Sequence, residues 1–506
     1  MEILGLVDVP LYLLLAVAAA LLIYIYGTWN FNYFKNRGIP GPTPYPLVGN
    51  KGFFHKFKEW NRQYGNIYGV FLGQKPALVI SDLDILKEVF VKSFNTFRNR
   101  MKFKLVPFPF NLGVFFLEDS HWKRVRSIIT PSFSGGKLRK MCAAINDCAT
   151  TLSSNFSKVV GRKEGVTMKE YFGAFTMDVI SRTAFGIKVD SQNDFNNPFV
   201  AHAKLMFGQA GPRRLLPLLA SFCPPLVWII MKLGVGFFPK HVINFFQTNI
   251  TDMIKQRQSD TKERREQRVD FLQLLVDAEI EADRHENGHA ANGQIPEKHS
   301  VRRLTTDEIV GQGILFFIAG YETTASTLTF ASHSLAMNPN VQEKAYNEIR
   351  EMLGNEEPNY DNIGKLKYLD NVITETLRLY PPVIALHRRA SETIQIKDLT
   401  IPEGQTIFIP TFALQRDPQL FKDQESFKPE RHDEKSNPLS FLAFGYGPRI
   451  CIGMRLALVE AKIALVHVLR TVKFERMPDT QEVLTFKVAN FLQPERDIRL
   501  KLSPRC

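Results

Sequence analysis

The chain has 506 residues, of which 44% are hydrophobic and 23% are charged, and these values are close to globular averages. The composition excludes a disordered, collagen-like or multi-span membrane protein, and the length predicts about three domains or one large helical domain. Its 64 basic and 51 acidic residues give a net charge of +13. This excess favours an anionic membrane surface or an acidic protein partner, and no basic tract or motif points to nucleic acid.

Cysteine usage excludes a disulfide framework, because the chain has five cysteines, an odd number spread over 506 residues. A single cysteine acting as a ligand or nucleophile therefore remains a hypothesis. Phenylalanine is frequent, at 40 residues against 4 tryptophans. A roomy apolar pocket and a membrane-facing surface would both account for this excess.

The N-terminal region contains an uncharged run from Val9 to Tyr26. As a helix it would be about 27 Å long, nearly the thickness of the bilayer hydrocarbon. Acidic Glu2 and Asp8 precede it, whereas a cleaved signal peptide, the alternative interpretation, has a basic start. Positive charge follows, in Lys35, Arg37, Lys51, Lys56 and Lys58. We therefore predict an uncleaved transmembrane anchor with the rest of the chain in the cytosol.

The segment after the anchor contains four prolines between Gly38 and Pro46, which restrict the backbone and prevent a helix. It predicts a stiff spacer between membrane and globule. The resulting division is an anchor with its flank at 1–37 (span about 9–26), a Pro-rich spacer at 38–50, and one globular domain at 51–506.

Two further segments are unusual. Leu215–Met231 is uncharged but interrupted by prolines, so it is either an interfacial membrane patch or a buried helix pair. Ala282–Arg303 is rich in charge, with glycines and three histidines. It predicts an exposed loop rather than a metal site, because no cysteine or ligand spacing accompanies the histidines.

The remaining patterns predict a mainly α protein with a minor β portion. Ile67–Ile80 is typical of a short hairpin, and Thr393–Ile396 and Thr406–Pro410 are typical of strands. A capping box at Thr305–Glu308 opens a helix that continues towards Pro339, about 30 residues in all.

The most informative stretch is Phe441–Gly453, which precedes an apolar helix running from Met454 to about Leu469. Its two Phe, three Gly, an Arg and a Cys stand at the spacings of the haem-ligand loop of the cytochrome P-450 superfamily, which this stretch resembles. Glycines allow a tight loop that aims backbone donors at a thiolate, and the following helix dipole is expected to lower the thiol pKa. The resemblance implies haem b with Cys451 as axial thiolate ligand, Phe444 beside it, and Arg449 on a haem propionate.

A second stretch, Ala319–Thr324, resembles the oxygen-activation motif of the same superfamily. Gly320 leaves room for a diatomic ligand, and Thr323 can divert a backbone hydrogen bond and open the helix. Glu322 and Thr323 form an acid and alcohol pair, and the resemblance implies that they relay protons during oxygen activation.

Other matches concern haem contacts and the core. Trp122 and Arg126 match a Trp-x-x-x-Arg pair that contacts a propionate, and Arg100 and Arg388 resemble further propionate arginines. Glu375 and Arg378 match the family's Glu-x-x-Arg pair, which is expected to join Arg431. His432 stands where the family often has Phe, a departure that affects local packing.

The resemblance covers nearly the whole chain and is closest to the animal microsomal enzymes of broad specificity for drugs and steroids. It implies an apolar pocket selecting lipophilic substrates by size. The positions carried over to the pocket are Phe115, Phe116, Leu315, Phe316, Ala319, Val383, Ala385 and Phe491. Core packing is the alternative for each phenylalanine.

The implied activity is a membrane-bound monooxygenase of the endoplasmic reticulum. Because no flavin or nicotinamide motif is present, electrons from NADPH are expected to arrive through NADPH-cytochrome P-450 reductase, with microsomal cytochrome b as a second candidate partner. A docking cluster of Lys123, Arg124, Lys435 and Arg455 is a hypothesis. The alternatives are a haem-thiolate isomerase or synthase that needs no external electrons, and a haem-binding sensor without turnover.

Overall fold

A computed structural model of the chain describes residues 2–3, 7–8, 10–50, 52–103, 105–207, 238–268, 270–277, 304–487 and 491–505. The segments Leu215–Met231 and Ala282–Arg303 lie outside the described residues. The α-helices are α1 (Leu11–Thr28), α2 (Phe53–Tyr64), α3 (Leu83–Lys87), α4 (Asp119–Ile129), α5 (Gly135–Ser157), α6 (Met168–Phe185), α7 (Pro198–Phe207), α8 (Lys240–Ser259), α9 (Lys262–Gln267), α10 (Thr306–Met337), α11 (Pro339–Leu353), α12 (Lys367–Leu379), α13 (Thr411–Leu414) and α14 (Met454–Thr471). The strands are β1 (Glu2–Ile3), β2 (Val7–Asp8), β3 (Ile67–Leu72), β4 (Lys75–Ile80), β5 (Val166–Thr167), β6 (Leu386–Arg389), β7 (Ile394–Ile396), β8 (Leu399–Ile401), β9 (Thr406–Ile409), β10 (Val472–Glu475) and β11 (Arg499–Pro504). The mainly α prediction with a minor β portion is confirmed.

The long helix α10 forms the centre of the fold, packing against α6, α8, α12 and α14. Its 32 residues correspond to about 48 Å, enough to cross the molecule. The predicted capping box is present, since Thr305 Oγ1 accepts from the Glu308 N–H at 3.2 Å and Glu308 Oε2 accepts from the Thr305 N–H at 2.9 Å. The prediction of a long capped helix is confirmed.

The largest sheet has the strand order β3-β4-β9-β6. The predicted hairpin is its β3–β4 pair, in register from Ile67 opposite Ile80 to Leu72 opposite Lys75. Strand β9 joins β4 in parallel and β6 antiparallel. The expected strand at Thr393–Ile396 is β7, but it pairs with β8, which the sequence pattern did not indicate.

The N-terminal helix α1 begins after Pro10 and ends at Thr28, so it starts and ends two residues later than the predicted span of 9–26. Among the described residues, α1 and α10 are long and apolar enough to cross a membrane. Only 6% of α1 is buried against 78% of α10, so α10 is a core helix and α1 matches the expected anchor.

The Pro-rich segment that the sequence predicts to be a stiff spacer lies against β3. Pro40 O accepts the Gly69 N–H at 2.8 Å, and the Asn50 N–H donates to Phe71 O at 2.9 Å. A Cβ on Gly41 would lie 2.2 Å from Gly69 O, so only glycine permits this approach. Prolines lack an N–H but keep their carbonyls, which suffices for pairing with a strand edge.

Candidate functional site

The cysteine loop is a closed turn in front of α14. The Cys451 N–H donates to Phe444 O at 2.8 Å. Gly445 and Gly447 have φ values of +77° and +72°, in the left-handed region that favours glycine. A Cβ on Gly447 would also lie 2.1 Å from Phe90 O, whereas Gly453 has an ordinary φ of −85°. Two of the three glycines therefore shape the loop.

The Cys451 thiol lies at the start of α14, where the backbone N–H groups of Gly453 and Met454 are directed at the sulfur. Burial raises the thiol pKa, and these donors with Arg126 and Arg100 only partly oppose it. The donors at the start of α14 lower the thiol pKa in the expected direction, although burial raises it by more. Cys451 nevertheless keeps exposed surface, unlike the buried Cys142.

Four arginines lie near the cysteine loop and have no ion-pair partner among the described residues: Arg100, Arg126, Arg388 and Arg449. Arg449 stacks on Trp122, with the guanidinium carbon 4.1 Å from the ring centroid. Its Nε and Nη2 donate to the carbonyls of Arg98 and Leu117 at 2.7 and 2.8 Å. Nη1 is buried and has no partner in the described structure.

The other three arginines are held mainly by backbone carbonyls. Arg100 donates to Phe115 O at 3.1 Å, Arg126 to Ile450 O at 3.0 Å, and Arg388 to His387 O at 2.9 Å. Desolvation and mutual repulsion lower the pKa of Arg100 to about 10, of Arg388 to about 9, and of Arg449 to about 8. The four arginines therefore form a cationic cluster that has no ion pair with the described residues.

One face of α10 is open in the middle of this otherwise buried helix. Ala319 is exposed, and Leu315 and Thr323, four residues to either side, are part-exposed. Thr323 Oγ1 donates to Ala319 O at 2.8 Å, as its sequence position suggested, but the helix remains α-helical here. A Cβ on Gly320 would lie 2.8 Å from Cδ1 of Ile180, so this glycine serves packing against α6 rather than room for a diatomic ligand.

Glu322 is buried, with 4% exposure, and its carboxylate is already engaged. Lys169 Nζ lies 2.9 Å from Glu322 Oε1, and Ser326 and Gln493 donate to the same oxygen at 3.2 and 3.4 Å. The sequence placed Glu322 in a pair with Thr323 but did not indicate Lys169 or Gln493. Their types carry no signal by themselves, because exposed lysines and glutamines are common.

Four of the expected pocket residues lie in two places outside α10. One is the loop before α4, and the other is the bridge between Val383 and Phe491. The loop before α4 is tied to α10 through Gln312, which donates to Leu112 O and accepts from the Val114 N–H, both at 2.7 Å. It carries Phe115 and Phe116, whose ring centroids are 5.1 Å apart. Val383 and Phe491 form a β-bridge with each other.

Two of the residues predicted to line the pocket are buried among core side chains. Phe316 is only 8% exposed, and its ring lies 4.2 Å from that of Phe271 and 5.7 Å from that of Phe133. Ala385 is buried in the sheet core with Phe408 and Trp60. Both are core residues, because neighbouring positions on a helix or strand point in different directions.

Comparison with known proteins identifies the family. The Cytochrome P450 family profile matches residues 39–502. The chain belongs to the cytochrome P450 family. It is 39% identical to cytochrome P450 3A29 of Sus scrofa over 98% of this chain and 96% of that protein, and 39% identical to cytochrome P450 3A5 of Homo sapiens over 98% and 97%. Cytochrome P450 3A9 of Rattus norvegicus is also 39% identical, over 97% and 96%. The protein is a cytochrome P450 monooxygenase.

Haem with a cysteine thiolate ligand is the cofactor of this family, and the described residues fit it. Each arginine fork matches a carboxylate, and haem carries two propionates. The unpaired Nη1 of Arg449 and Nε of Arg388 supply donors for them. Trp122 adds an indole N–H with no acceptor among the described residues. Cys451 with its two backbone donors suits a thiolate ligand.

The predicted Glu375–Arg378–Arg431 cluster is present at the end of α12. Arg378 donates to both oxygens of Glu375 at 2.7 and 2.9 Å, and Arg431 Nε donates to Oε1 at 2.8 Å. His432 Nε2 also lies 2.9 Å from Glu375 Oε2, so the departure at His432 adds a polar partner. Burial opposes ionisation of Glu375, but these partners outweigh it and lower its pKa to about 2.

Glu460 is a buried acid that the sequence motifs did not single out. It lies on α14, which packs against α10, and the Thr324 hydroxyl is its hydrogen-bond partner. Its Oε1 is buried without a partner in the described structure. Burial raises the pKa of this carboxyl far above its ordinary value, which favours its protonated form.

Proposed function

We propose that this cytochrome P450 is a membrane-anchored enzyme that inserts one oxygen atom of O2 into lipophilic substrates such as xenobiotics and steroids. Its electrons originate in NADPH and arrive through NADPH-cytochrome P-450 reductase. The observation that carries the proposal is the convergence of Arg100 and Arg126 on Cys451, in a cluster whose arginines form no ion pair with the described residues. A thiolate-ligated haem needs this combination of donors.

Haem, when bound, supplies oxygen activation and electron storage. Arg100, Arg126, Arg388 and Arg449 would hold its propionates, and Trp122 lies beside Arg449. Gly453 and Met454 direct their N–H groups at the sulfur of Cys451 and stabilise the thiolate.

Proton supply depends on Glu322 and Thr323. Thr323 donates its own hydroxyl proton to Ala319 O, which leaves its oxygen available as an acceptor. The Glu322 carboxylate is paired with Lys169, and a proton relay from Glu322 to Thr323 would need this pair to loosen.

Substrate selection rests on apolar contacts. Leu315 and Ala319 on α10, the Phe115–Phe116 loop, and the Val383–Phe491 bridge would line the pocket. Since these side chains are apolar, size and hydrophobicity decide which substrates bind.

Electron delivery rests on exposed basic side chains near the cysteine loop. Lys123, Lys435 and Arg455 are exposed and available to an acidic flavoprotein, with microsomal cytochrome b as a second acidic partner. Arg124 of the expected cluster is instead paired with the buried Glu308. Helix α1 would hold the protein in the endoplasmic reticulum membrane with the catalytic domain in the cytosol.

The test combines a spectrum with a turnover assay. Dithionite-reduced protein with carbon monoxide should give a strongly red-shifted Soret band that Cys451→Ser abolishes. With reductase and NADPH, a lipophilic probe should be hydroxylated, and omission of the reductase should stop the reaction. Probe rearrangement without reductase would favour an isomerase, and haem binding without turnover would favour a sensor.

A further inference from the structure

The C-terminal end of α1 is held by the catalytic domain. Tyr26 O accepts from Nε2 of Gln74 at 2.7 Å, and Gly27 O accepts from the Leu47 N–H at 3.3 Å. The last carbonyls of a helix have no partners within the helix, so these two contacts satisfy groups that would otherwise need water. We call Leu47 and Gln74 the anchor clamp.

Gln74 contacts the end of α1 through both its side chain and its backbone carbonyl. Gln74 lies in the turn between β3 and β4, and its backbone carbonyl accepts from Asn30 Nδ2 at 3.2 Å. Its side-chain Oε1 lies 3.4 Å from the indole nitrogen of Trp29. One hairpin residue therefore contacts three residues at the end of the anchor.

Steric fit supports the other half of the clamp. Gly27 is the buried residue of α1, and a Cβ there would lie 2.6 Å from Cδ2 of Leu47. The chain after the helix then packs on β3, where the Phe34 ring lies 5.4 Å from that of Phe71. The anchor therefore enters the domain without a free linker.

The end of α1 also marks the level of the lipid headgroups. Its 18 residues measure about 27 Å, slightly less than the bilayer hydrocarbon, so the helix has no spare length. Trp29 is 71% exposed, and Tyr45, two residues before Leu47, is 64% exposed. Exposed tryptophan and tyrosine are typical of the membrane interface.

We propose that the anchor clamp fixes the orientation of the catalytic domain on the bilayer, with Gln74, Trp29 and Tyr45 at the headgroups. This inference rests on the proposed anchorage by α1. The partner surface is the lipid headgroup region. The clamp restricts rotation of the catalytic domain relative to α1.

The test uses the full-length holoprotein in oriented bilayers of phosphatidylcholine with phosphatidylserine. Linear dichroism of the haem band reports the angle and spread of the haem plane, and quenching by brominated lipids, with Trp29→Phe as reference, reports the depth of Trp29. Gln74→Ala removes the cap, and Gly27→Leu drives α1 away from Leu47. Gln395→Ala, in the β7–β8 hairpin, is the matched control, since Gln395 contacts its own hairpin at Lys397.

We expect both clamp variants to float with the membranes and to keep the carbon monoxide spectrum, but to lose much of the haem dichroism, while Gln395→Ala retains it. Unchanged dichroism and unchanged Trp29 quenching in both variants, with anchorage intact, would overturn the clamp. Failure of the unmodified protein to float would instead refute the anchorage, and the clamp with it.

Discussion

Lys169 at the start of α6 neutralises Glu322 in the middle of α10, with Nζ and Oε1 2.9 Å apart. The pair joins two helices, and Gln493 and Ser326 complete the surroundings of the same carboxylate oxygen. Glu322, which precedes Thr323 on α10, is therefore engaged in a partly buried ion pair.

Glu322→Gln should lower reductase-supported hydroxylation at least about 100-fold, because the amide cannot transfer a proton in the way that an acid does. Lys169→Met should also lower turnover, since it leaves the buried carboxylate of Glu322 without its ion-pair partner. The measurement is the rate of product formation with reductase and NADPH. Ser326→Ala is the control, because it removes the 3.2 Å bond to Glu322 Oε1 and the 2.9 Å bond from Lys169 Nζ but keeps the carboxyl group. Equal turnover in Glu322→Gln and the control would exclude the relay.

His432→Phe should destabilise the fold by about 1–3 kcal/mol, because it removes a partner from a fully buried carboxylate. Glu375 has a pKa of about 2 in the folded protein, below its unfolded value of about 4.3, so it stabilises the fold above that value and loses this effect as the pH falls towards 2. Without His432 the folded pKa rises, and the acid-unfolding midpoint should move to higher pH. His241→Phe, at an exposed histidine, should leave the midpoint in place.

Glu460→Gln should raise the stability at neutral pH. The folded pKa of Glu460 lies far above its unfolded value of about 4.3, so the folded state holds an extra proton, and its stability falls as the pH rises between the two values. The amide carries no charge and removes this slope. Thermal midpoints from pH 5 to 8 would measure the effect, with exposed Glu351→Gln as control. Parallel curves for Glu460→Gln and the unmodified protein would contradict a neutral Glu460.

Arg388→Met should have opposite effects on the apoprotein and the haem-loaded protein. Without haem, the variant removes a buried charge whose pKa is lowered to about 9 by desolvation and Arg100, so the thermal midpoint should rise. With haem, it removes a propionate partner, so haem transfer to an acceptor protein should accelerate. A lower apoprotein midpoint, or unchanged haem transfer, would contradict the assignment of Arg388 to the propionates.

Ala319→Leu should narrow the open face of α10 and weaken the binding of bulky substrates more than small ones, as measured by substrate-induced Soret shifts. Phe316→Ala, three residues away, should instead cost about 3–5 kcal/mol of stability, because Phe316 packs against Phe271 in the core. The order in which Phe316→Ala binds large and small substrates should stay that of the unmodified protein. A changed order of substrate affinities would show that Phe316 lines the pocket.

The sequence determined by itself those features that depend on neighbouring residues. The capping box at Thr305, the hairpin at Ile67–Ile80 and the glycines of the cysteine loop follow from local hydrogen bonds and backbone dihedral angles. The loop spacing around Cys451 was specific enough to indicate the family before any fold was known.

Only the tertiary structure decided which side chains meet. Lys169 and Glu322 are 153 residues apart, and nothing near either residue indicates the pair. The structure also separated Leu315, on the open face, from Phe316, in the core, although the two are adjacent and equally apolar. Hydrophobicity predicts that such residues are buried, but the packing of α10 against its neighbours determines the surface that each contacts.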